Sequence, residues 1–458
     1  MRAAPNRLEW LAFLAAWLLL AALPAHAQTA GEVEFARGVG FAQSPGEAAR
    51  TLGKGLPLRQ GDRLTTSEGG SAIIKLQDGT RMTVRPNSEL VLQQYQFHEN
   101  APDNSMRMQL VRGGFRAITG LISKGSPNAA RVQTSTATIG IRGTDFDARL
   151  CSGDECARES SQVPEAARPN AVQASAKIIG VRGEIFAVDH AGTRRRLVDG
   201  GSVYPGDVVE TARGAQGVLA VRDDTRITLG SQTRFRLDNF VYDPKNAGDG
   251  RFLASILRGA VRAFTGLIGK ANHANVGFST ATATIGIRGT GFDVTCTGPC
   301  AGEPPEPGTG LTLWTWLGAI EVGQSGQTAL QVLQAGQGLF IPPTGPVQEI
   351  TNEPSNPDPR PDQVDVPPKL FSETGVPDTS QGLFVFVRDG HIEIATLGDV
   401  LELGRGEAGF AGLDGRTARP DQIPKFLDFD RIPLPNSRNP LLLSILGESG
   451  IRSSQVCR

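Results

Sequence analysis

Two close cysteine pairs, five scattered histidines and one duplicated stretch are where this sequence could do chemistry. Cys151 and Cys156 flank "SGDE", while Cys296 and Cys300 flank "TGP". Thiols this close either share a zinc ion or close a local disulfide. Zinc favours a two-residue spacer and further cysteine or histidine ligands nearby. Neither spacer fits, and His26, His98, His190, His273 and His391 do not cluster beside them. In an oxidising compartment both pairs read as disulfides that clip a loop, each contributing about 2 kcal/mol by chain entropy. No metal or cofactor is expected. Cys457 is left odd.

The duplicated stretch is "TSTATIGIRGTDFD" (Thr134 to Asp147) and "TATATIGIRGTGFD" (Thr280 to Asp293), matching at twelve of fourteen positions. Its candidates are Gly140, Arg142, Gly143, Thr144 and Phe146, then Gly286, Arg288, Gly289, Thr290 and Phe292. The glycines do not form a phosphate cradle: "GLISKGS" and "GLIGKAN" miss GxxxxGK[ST], and "GIRGTG" misses GxGxxG. No GxSxG or HExxH occurs, so no catalytic residue is expected and the chain is read as non-enzymatic. Asp147 and Asp293 are equivalent carboxylates following a phenylalanine, and they are expected to be exposed. Trp314 and Trp316 stand two apart and so share one strand face. They read as core, or as an exposed platform for a sugar ring or a partner.

A backbone reading explains the duplication better than a ligand does. Ala137, Ile139 and Ile141 are odd-numbered, yet the next large apolar residue, Phe146, is even-numbered; Ile285, Ile287 and Phe292 repeat the change. A strand of strict period two cannot bury both sets on one face. One residue must be absorbed between them. Gly143 and Gly289 are the expected bulges, because glycine accepts a positive φ without steric cost. Arg142 and Arg288 are then expected to bond the carbonyls that the bulge releases.

The positioning elements come from a tandem repeat. At an offset of 145, "ARGVGFA" meets "VRGEIFA" and "LQDGTRMTV" meets "VRDDTRITL". At 146, "LVRGGFRAITGLISK" meets "ILRGAVRAFTGLIGK". The units span 33–150 and 177–297, separated by a disulfide loop and linker at 151–176. Period-two alternation around Asp78-Gly79 predicts a hairpin. "FRAITGLI" reads as a short helix or irregular turn. Completing strands are expected at 310–341, then an extended Pro/Asp-rich linker at 342–381. A separate small β module at 382–412, with a turn at Asp389-Gly390, and a polar tail at 413–458 follow. The fold class is therefore all-β: tandem sandwich-like or roll-like modules of short antiparallel strands with Gly-rich turns.

Arg2 and Arg7 precede an apolar run from Trp10 to Leu23, and Ala25-His26-Ala27 fits a cleavage site. Residues 1–27 read as a signal peptide, which places the mature chain in the periplasm or medium with no stable membrane span. Net charge is −1, with 46 basic and 47 acidic residues, so no global field favours nucleic acid. The run Arg194-Arg195-Arg196 reads as a solvated loop.

With those motifs in view, the chain resembles the FecR family. The resemblance rests on the Gly61-Asp62 and Gly206-Asp207 starts, the hairpins from Asp78 and Asp223, and the "ATIGIRGT-x-F" close. It implies a periplasmic all-β module that contacts other proteins. Family regulators of iron uptake add a cytoplasmic anti-sigma segment before a membrane helix, and about eight residues ahead of the apolar run leave that segment out. The leading expectation is an exported envelope scaffold or interaction protein with a protein partner. The alternatives are an accessory of trans-envelope signalling, or a carbohydrate-binding or enzymatic envelope protein acting through Trp314 and Trp316.

Overall fold

The computed structural model describes residues 29–99, 101–125, 129–324 and 330–428. The segment read as a signal peptide, most of the segment read as a polar tail, and Cys457 lie outside them. The structure is all-β: two fifteen-stranded sheets, one per unit, and one two-stranded ribbon between Arg168–Pro169 and Gln422–Ile423.

In unit 1 the principal strands are β1 (Thr29–Arg37), β2 (Ser71–Leu76), β3 (Arg81–Val84), β4 (Glu89–Gln96) and β5 (Ser105–Ile118). A five-residue helix α1 (Leu121–Gly125) leads into β6 (Ala130–Gln133) and β7 (Thr138–Cys151). Helix α2 (Glu155–Ser161) then leaves the unit. Unit 2 repeats the plan with β8 (Ala176–Arg182), β9 (Gln216–Val221), β10 (Arg226–Leu229), β11 (Arg234–Val241) and β12 (Arg251–Phe264). Helix α3 (Leu267–Ala271), β13 (Val276–Ser279) and β14 (Ala283–Cys296) follow. The segment "FRAITGLI" thus resolves into the end of β5, a break at Gly120, and the start of α1.

The Asp-led turns show why the halves of each unit stay together. Asp78 accepts from Thr80 N (3.1 Å) and Thr80 Oγ1 (2.8 Å), and its carbonyl accepts from Leu121 N (2.9 Å). Asp223 does the same with Thr225 (3.1 and 3.0 Å) and Leu267 N (2.6 Å). Both carboxylates are buried, so these bonds replace water that the fold excludes.

Each unit then needs a partner for the long outer edge of β7 or β14. Unit 2 takes it at once: β15 (Leu311–Gln324) pairs with β14 from Ala283↔Gln324 to Cys296↔Leu311, and β16 (Leu330–Gln334) and β17 (Gln337–Ile341) pair with β15. Unit 1 waits for the chain to come back. β18 (Gly382–Ala395) pairs with β7 from Thr138↔Ala395 to Cys151↔Gly382, carrying β19 (Val400–Leu403) and β20 (Ala408–Gly412). Unit 2 is therefore inserted into unit 1.

This corrects two expectations. Residues 382–412 do not form a separate module. Leu383, Val385, Val387, Ile392 and Ile394 lie in one core with Ile139, Ile141 and Phe146. Each such side chain contributes about 1.5–3 kcal/mol when buried, which no isolated three-strand piece could collect. Asp389-Gly390 is no hairpin turn either, since β18 runs straight through it. The second correction is the linker. Residues 351–381 are fixed in place as a strap: Leu370 is buried against Ile179, Val218 and Ala220 of unit 2, and further on Ser372 accepts from Arg419 and Asp378 from Ser160 of unit 1.

Candidate functional site

The duplicated stretch sits where β7 meets β18 and where β14 meets β15. Gly143 has φ +64° and Gly289 has φ +63°, and the register slips between Arg142 and Asp145 and between Arg288 and Gly291. The opposing strands carry their own left-handed glycines, Gly390 (φ +88°) and Gly318 (φ +69°). A Cβ on either would strike the carbonyl of Gly143 or Gly289. Thr144 clasps the bulge to β5: its N donates to Thr119 Oγ1 (2.7 Å), and its carbonyl accepts from Thr119 N (3.0 Å). Thr290 and Thr265 repeat this at 2.9 and 3.0 Å. Phe146 and Phe292 are fully buried, each edge-on to another ring, Phe115 and Phe278.

The arginines do not bond released carbonyls. Arg142 Nη2 meets Glu393 Oε2 at 2.9 Å, and Arg288 pairs with Glu321. Gly140 and Gly286 lie directly opposite those glutamates in the register, leaving space for them to lean across. A guanidinium finds a full charge more favourable than a carbonyl, which redirects it.

Asp147 and Asp293 are the second correction at this site, for both are buried rather than exposed. Asp147 accepts from Arg388 Nε at 2.7 Å. Asp293 Oδ1 accepts from Arg262 Nε (3.0 Å) and from Trp316 Nε1 (2.9 Å). Burial pushes both carboxyls above the ordinary range, and the neighbouring arginines pull them back only in part. The partners come from strands distant in sequence, so no local pattern announces them. A signal was nonetheless present: the core residues of β18 change from odd (Val387) to even (Ile392) across Asp389-Gly390, as they do in β7.

Trp314 and Trp316 do share a face, but it is the outer face of the sheet. Trp314 is only 5 % exposed. Trp316 stacks on Phe264 (centroids 6.3 Å, planes 9° apart), and the Arg360 guanidinium of the strap lies 4.0 Å from its ring centre. The strap is held by side chains: Arg262 Nη1 donates to the Asp358 carbonyl (2.8 Å), Thr228 Oγ1 to Pro359 (2.9 Å) and Arg226 Nη1 to Val364 (2.8 Å). Beside Trp314 a cleft of about 220 Å³ is lined by Asp293, Thr312 and Pro354 to Asp358.

Where the units meet, Lys177, Glu407 and Arg419 are fully buried together. Lys177 Nζ lies 3.0 Å and Arg419 Nε 2.9 Å from Glu407 Oε2. Burial alone would push the Glu407 carboxyl up, but the two cations outweigh it and hold it below its ordinary value. Arg195 is likewise anchored rather than solvated, paired with Asp207 of the second Gly-Asp start.

Both cysteine pairs are disulfide-bonded, with Cα separations of 5.9 Å for Cys151–Cys156 and 5.3 Å for Cys296–Cys300. Among the described residues, no group of three or more His, Cys, Asp or Glu side chains is arranged to hold a metal ion.

Residues 62–159 and 207–300 match the family described as FecR protein. Each unit thus contains one segment that matches the FecR family. The matched segments begin at the aspartates of the two Gly-Asp starts and cover the hairpins, the bulges and the disulfides. No curated protein matches the chain. Two crystal structures, at 1.65 and 2.50 Å, of a protein from Parabacteroides distasonis ATCC 8503 provisionally described as an anti-sigma factor are similar to part of it. Each has TM-score 0.25 and 14% identity, and covers 32% of this chain and 60% of its own. FecR domains and disulfides suit an envelope or extracellular location. No described helix is long and apolar enough to cross a membrane.

Proposed function

We propose that this is a non-enzymatic interaction or scaffold protein of the cell envelope, working through its FecR domains with a protein partner. One observation carries the reading. In both copies the repeated arginine pairs across strands, and the repeated threonine is buried and held through its backbone. Arg142 meets Glu393, Arg288 meets Glu321, and Thr144 and Thr290 clasp Thr119 and Thr265. A duplicated catalytic or ligand site would instead leave converging polar groups available to a substrate. The test is crosslinking of the mature protein in envelope extracts, followed by identification of what is captured. A discrete, saturable protein partner is the expected result. Absence of any partner, together with turnover of an envelope substrate, would overturn the reading.

The family match favours a second reading, an accessory of trans-envelope signalling. In that case the captured partner is a signalling protein, and deleting this chain alters transcription under its control. The carbohydrate reading has less support, because Phe264 and Arg360 occupy the Trp316 ring.

A further inference from the structure

We propose that the outer face of unit 2, from Arg226 and Thr228 across Arg262 to Trp316, is a receptor for extended proline-rich peptides. The strap from Glu353 to Val366 is its resident ligand in cis. This rests on the interaction reading and names the site and the partner class.

The strap carries Pro354, Pro357, Pro359 and Pro361 within eight residues. Such a segment favours an extended polyproline conformation and lacks an N–H at each proline. It must be recognised through its carbonyls and its side-chain faces. Unit 2 offers that set: donors to the carbonyls of Asp358, Pro359 and Val364, and an aromatic ring under Arg360. Arg262 Nη2 also lies 3.5 Å from Glu353 Oε1. Aromatic rings with flanking donors are a general way of binding such peptides.

Two further features separate this face from ordinary packing. Residues 351–381 enter no sheet ladder, and their one strand-like contact is an isolated bridge from Thr374 to Pro420. The strap can therefore leave without breaking a β-sheet. Unit 1, moreover, repeats the donors as Arg81, Thr83 and Arg116 but does not repeat the tryptophans. The register puts Phe386 and Arg388 where unit 2 has Trp314 and Trp316. The change falls on the ring that carries the Arg360 guanidinium, so the aromatic part of the face is particular to unit 2. Because the strap is tethered at both ends, it competes at high effective concentration and masks the face from free peptide. The ligand class follows from the resident: an extended segment with prolines at alternate positions and an arginine after Asp-Pro.

The leader read as residues 1–27 contains two of the four tryptophans, so the mature chain fluoresces from Trp314 and Trp316 alone. The experiment replaces residues 354–362 of the full mature chain with Gly and Ser at equal length. Labelled peptide NEPSNPDPRPDQVDV is then titrated against parent and variant. The variant should bind saturably, at least about tenfold more tightly than the parent, whose face is occupied. Arg360→Ala in the peptide, or Trp316→Ala in the variant chain, should abolish the gain. A folded variant that binds no peptide overturns the proposal, as does a parent that binds equally well. If the replaced chain does not fold, Arg360→Ala in the full chain serves: its red-shifted emission should revert when the peptide is added, and no reversion overturns the idea. Should a crosslinked partner be captured equally by parent, strap variant and Trp316→Ala, the interaction reading stands and this site falls.

Discussion

At the point where the closing strand crosses the bulge, unit 1 carries Arg388 and unit 2 carries Trp316. Both donate to the equivalent buried aspartate, Asp147 or Asp293, from the same register position. Above Arg388 lies a small apolar cluster of Phe384, Phe386, Ile423, Phe426 and Leu427, and Arg85 Nη2 donates to the Phe426 carbonyl (2.8 Å). Above Trp316 lies the proline-rich strap. Beneath both, the bulge, the facing glycine and the threonine clasp are the same. The difference shows where the module is constrained. A buried carboxylate requires a donor but accepts either kind. A bulge that faces a left-handed glycine, with no room for a Cβ between them, accepts few alternatives.

The largest effect should come from removing the strands that unit 1 borrows. Truncation after Gln381 strips the partner from the whole length of β7 and opens the core around Ile139, Ile141 and Phe146. Unit 2 keeps β15 and its own core. We expect unit 1 to lose protected amides in hydrogen exchange while unit 2 retains them. Equal protection in both would mean that 382–428 is dispensable, and the insertion topology would be wrong.

Next in size is the joint. Glu407→Gln leaves Lys177 and Arg419 buried beside a neutral group, which costs about 3–5 kcal/mol. The pH dependence has a definite sign. Glu407 is held below its ordinary value of 4.5, so its contribution is full above that pH and is lost as pH falls through the folded value. Asp147 and Asp293 are raised by burial, so their cost above the folded value is relieved on acidification. The stability gap between parent and Glu407→Gln should therefore be widest above pH 4.5 and shrink below it. A gap that is constant with pH would remove Glu407 as the titrating group.

The contrast between the units also shows what the residue pattern could reveal. Parity located the bulges because odd-to-even switching is a local property of one strand. The same switch in "LFVFVRDGHIEI" was available, but Asp-Gly is a strong turn pair and masks it. The return of β18 to β7 was not legible. Strand period fixes which face is buried and says nothing about which edge, hundreds of residues away, will be the partner. The burial of Asp147 and Asp293 was hidden for the same reason, since Arg388 and Trp316 arrive on those partner strands. Proline content pointed to a loose linker at 342–381, but not to a strand at Gln348–Ile350 or to arginines on β10 and β12 that fasten residues 358–364.

A smaller effect should come from the bulge glycines themselves. Gly390→Ala and Gly318→Ala combine a positive φ with a collision against the carbonyl of Gly143 or Gly289, and should cost about 2–4 kcal/mol. Gly143→Val and Gly289→Val meet open space or only Lys124 at 3.4 Å, leaving backbone strain of about 1–3 kcal/mol. Denaturant melts should rank each facing glycine above its bulge glycine in both units. Reversal in either unit would show that the bulge is set by something other than this crossing.

The smallest effect separates a structural arginine from a recognition arginine. Arg142 is 15 % exposed and bonds Glu393 through Nη2, while its Nε and Nη1 are buried without a partner. Arg288 is 56 % exposed and bonds Glu321 through both Nε and Nη2. Removing Arg288 deletes a solvent-screened pair, worth about 0–1 kcal/mol. Removing Arg142 strands a half-buried Glu393 but also relieves two unsatisfied donors, and these terms oppose each other. Both alanine variants should thus melt within about 1 kcal/mol of the parent, close to one another despite the difference in burial. Binding to the crosslinked partner should follow the melts. If Arg142→Ala melts like the parent yet abolishes capture while Arg288→Ala does not, the first copy of the motif contributes a contact of its own. The duplication would then hold one structural element and one site.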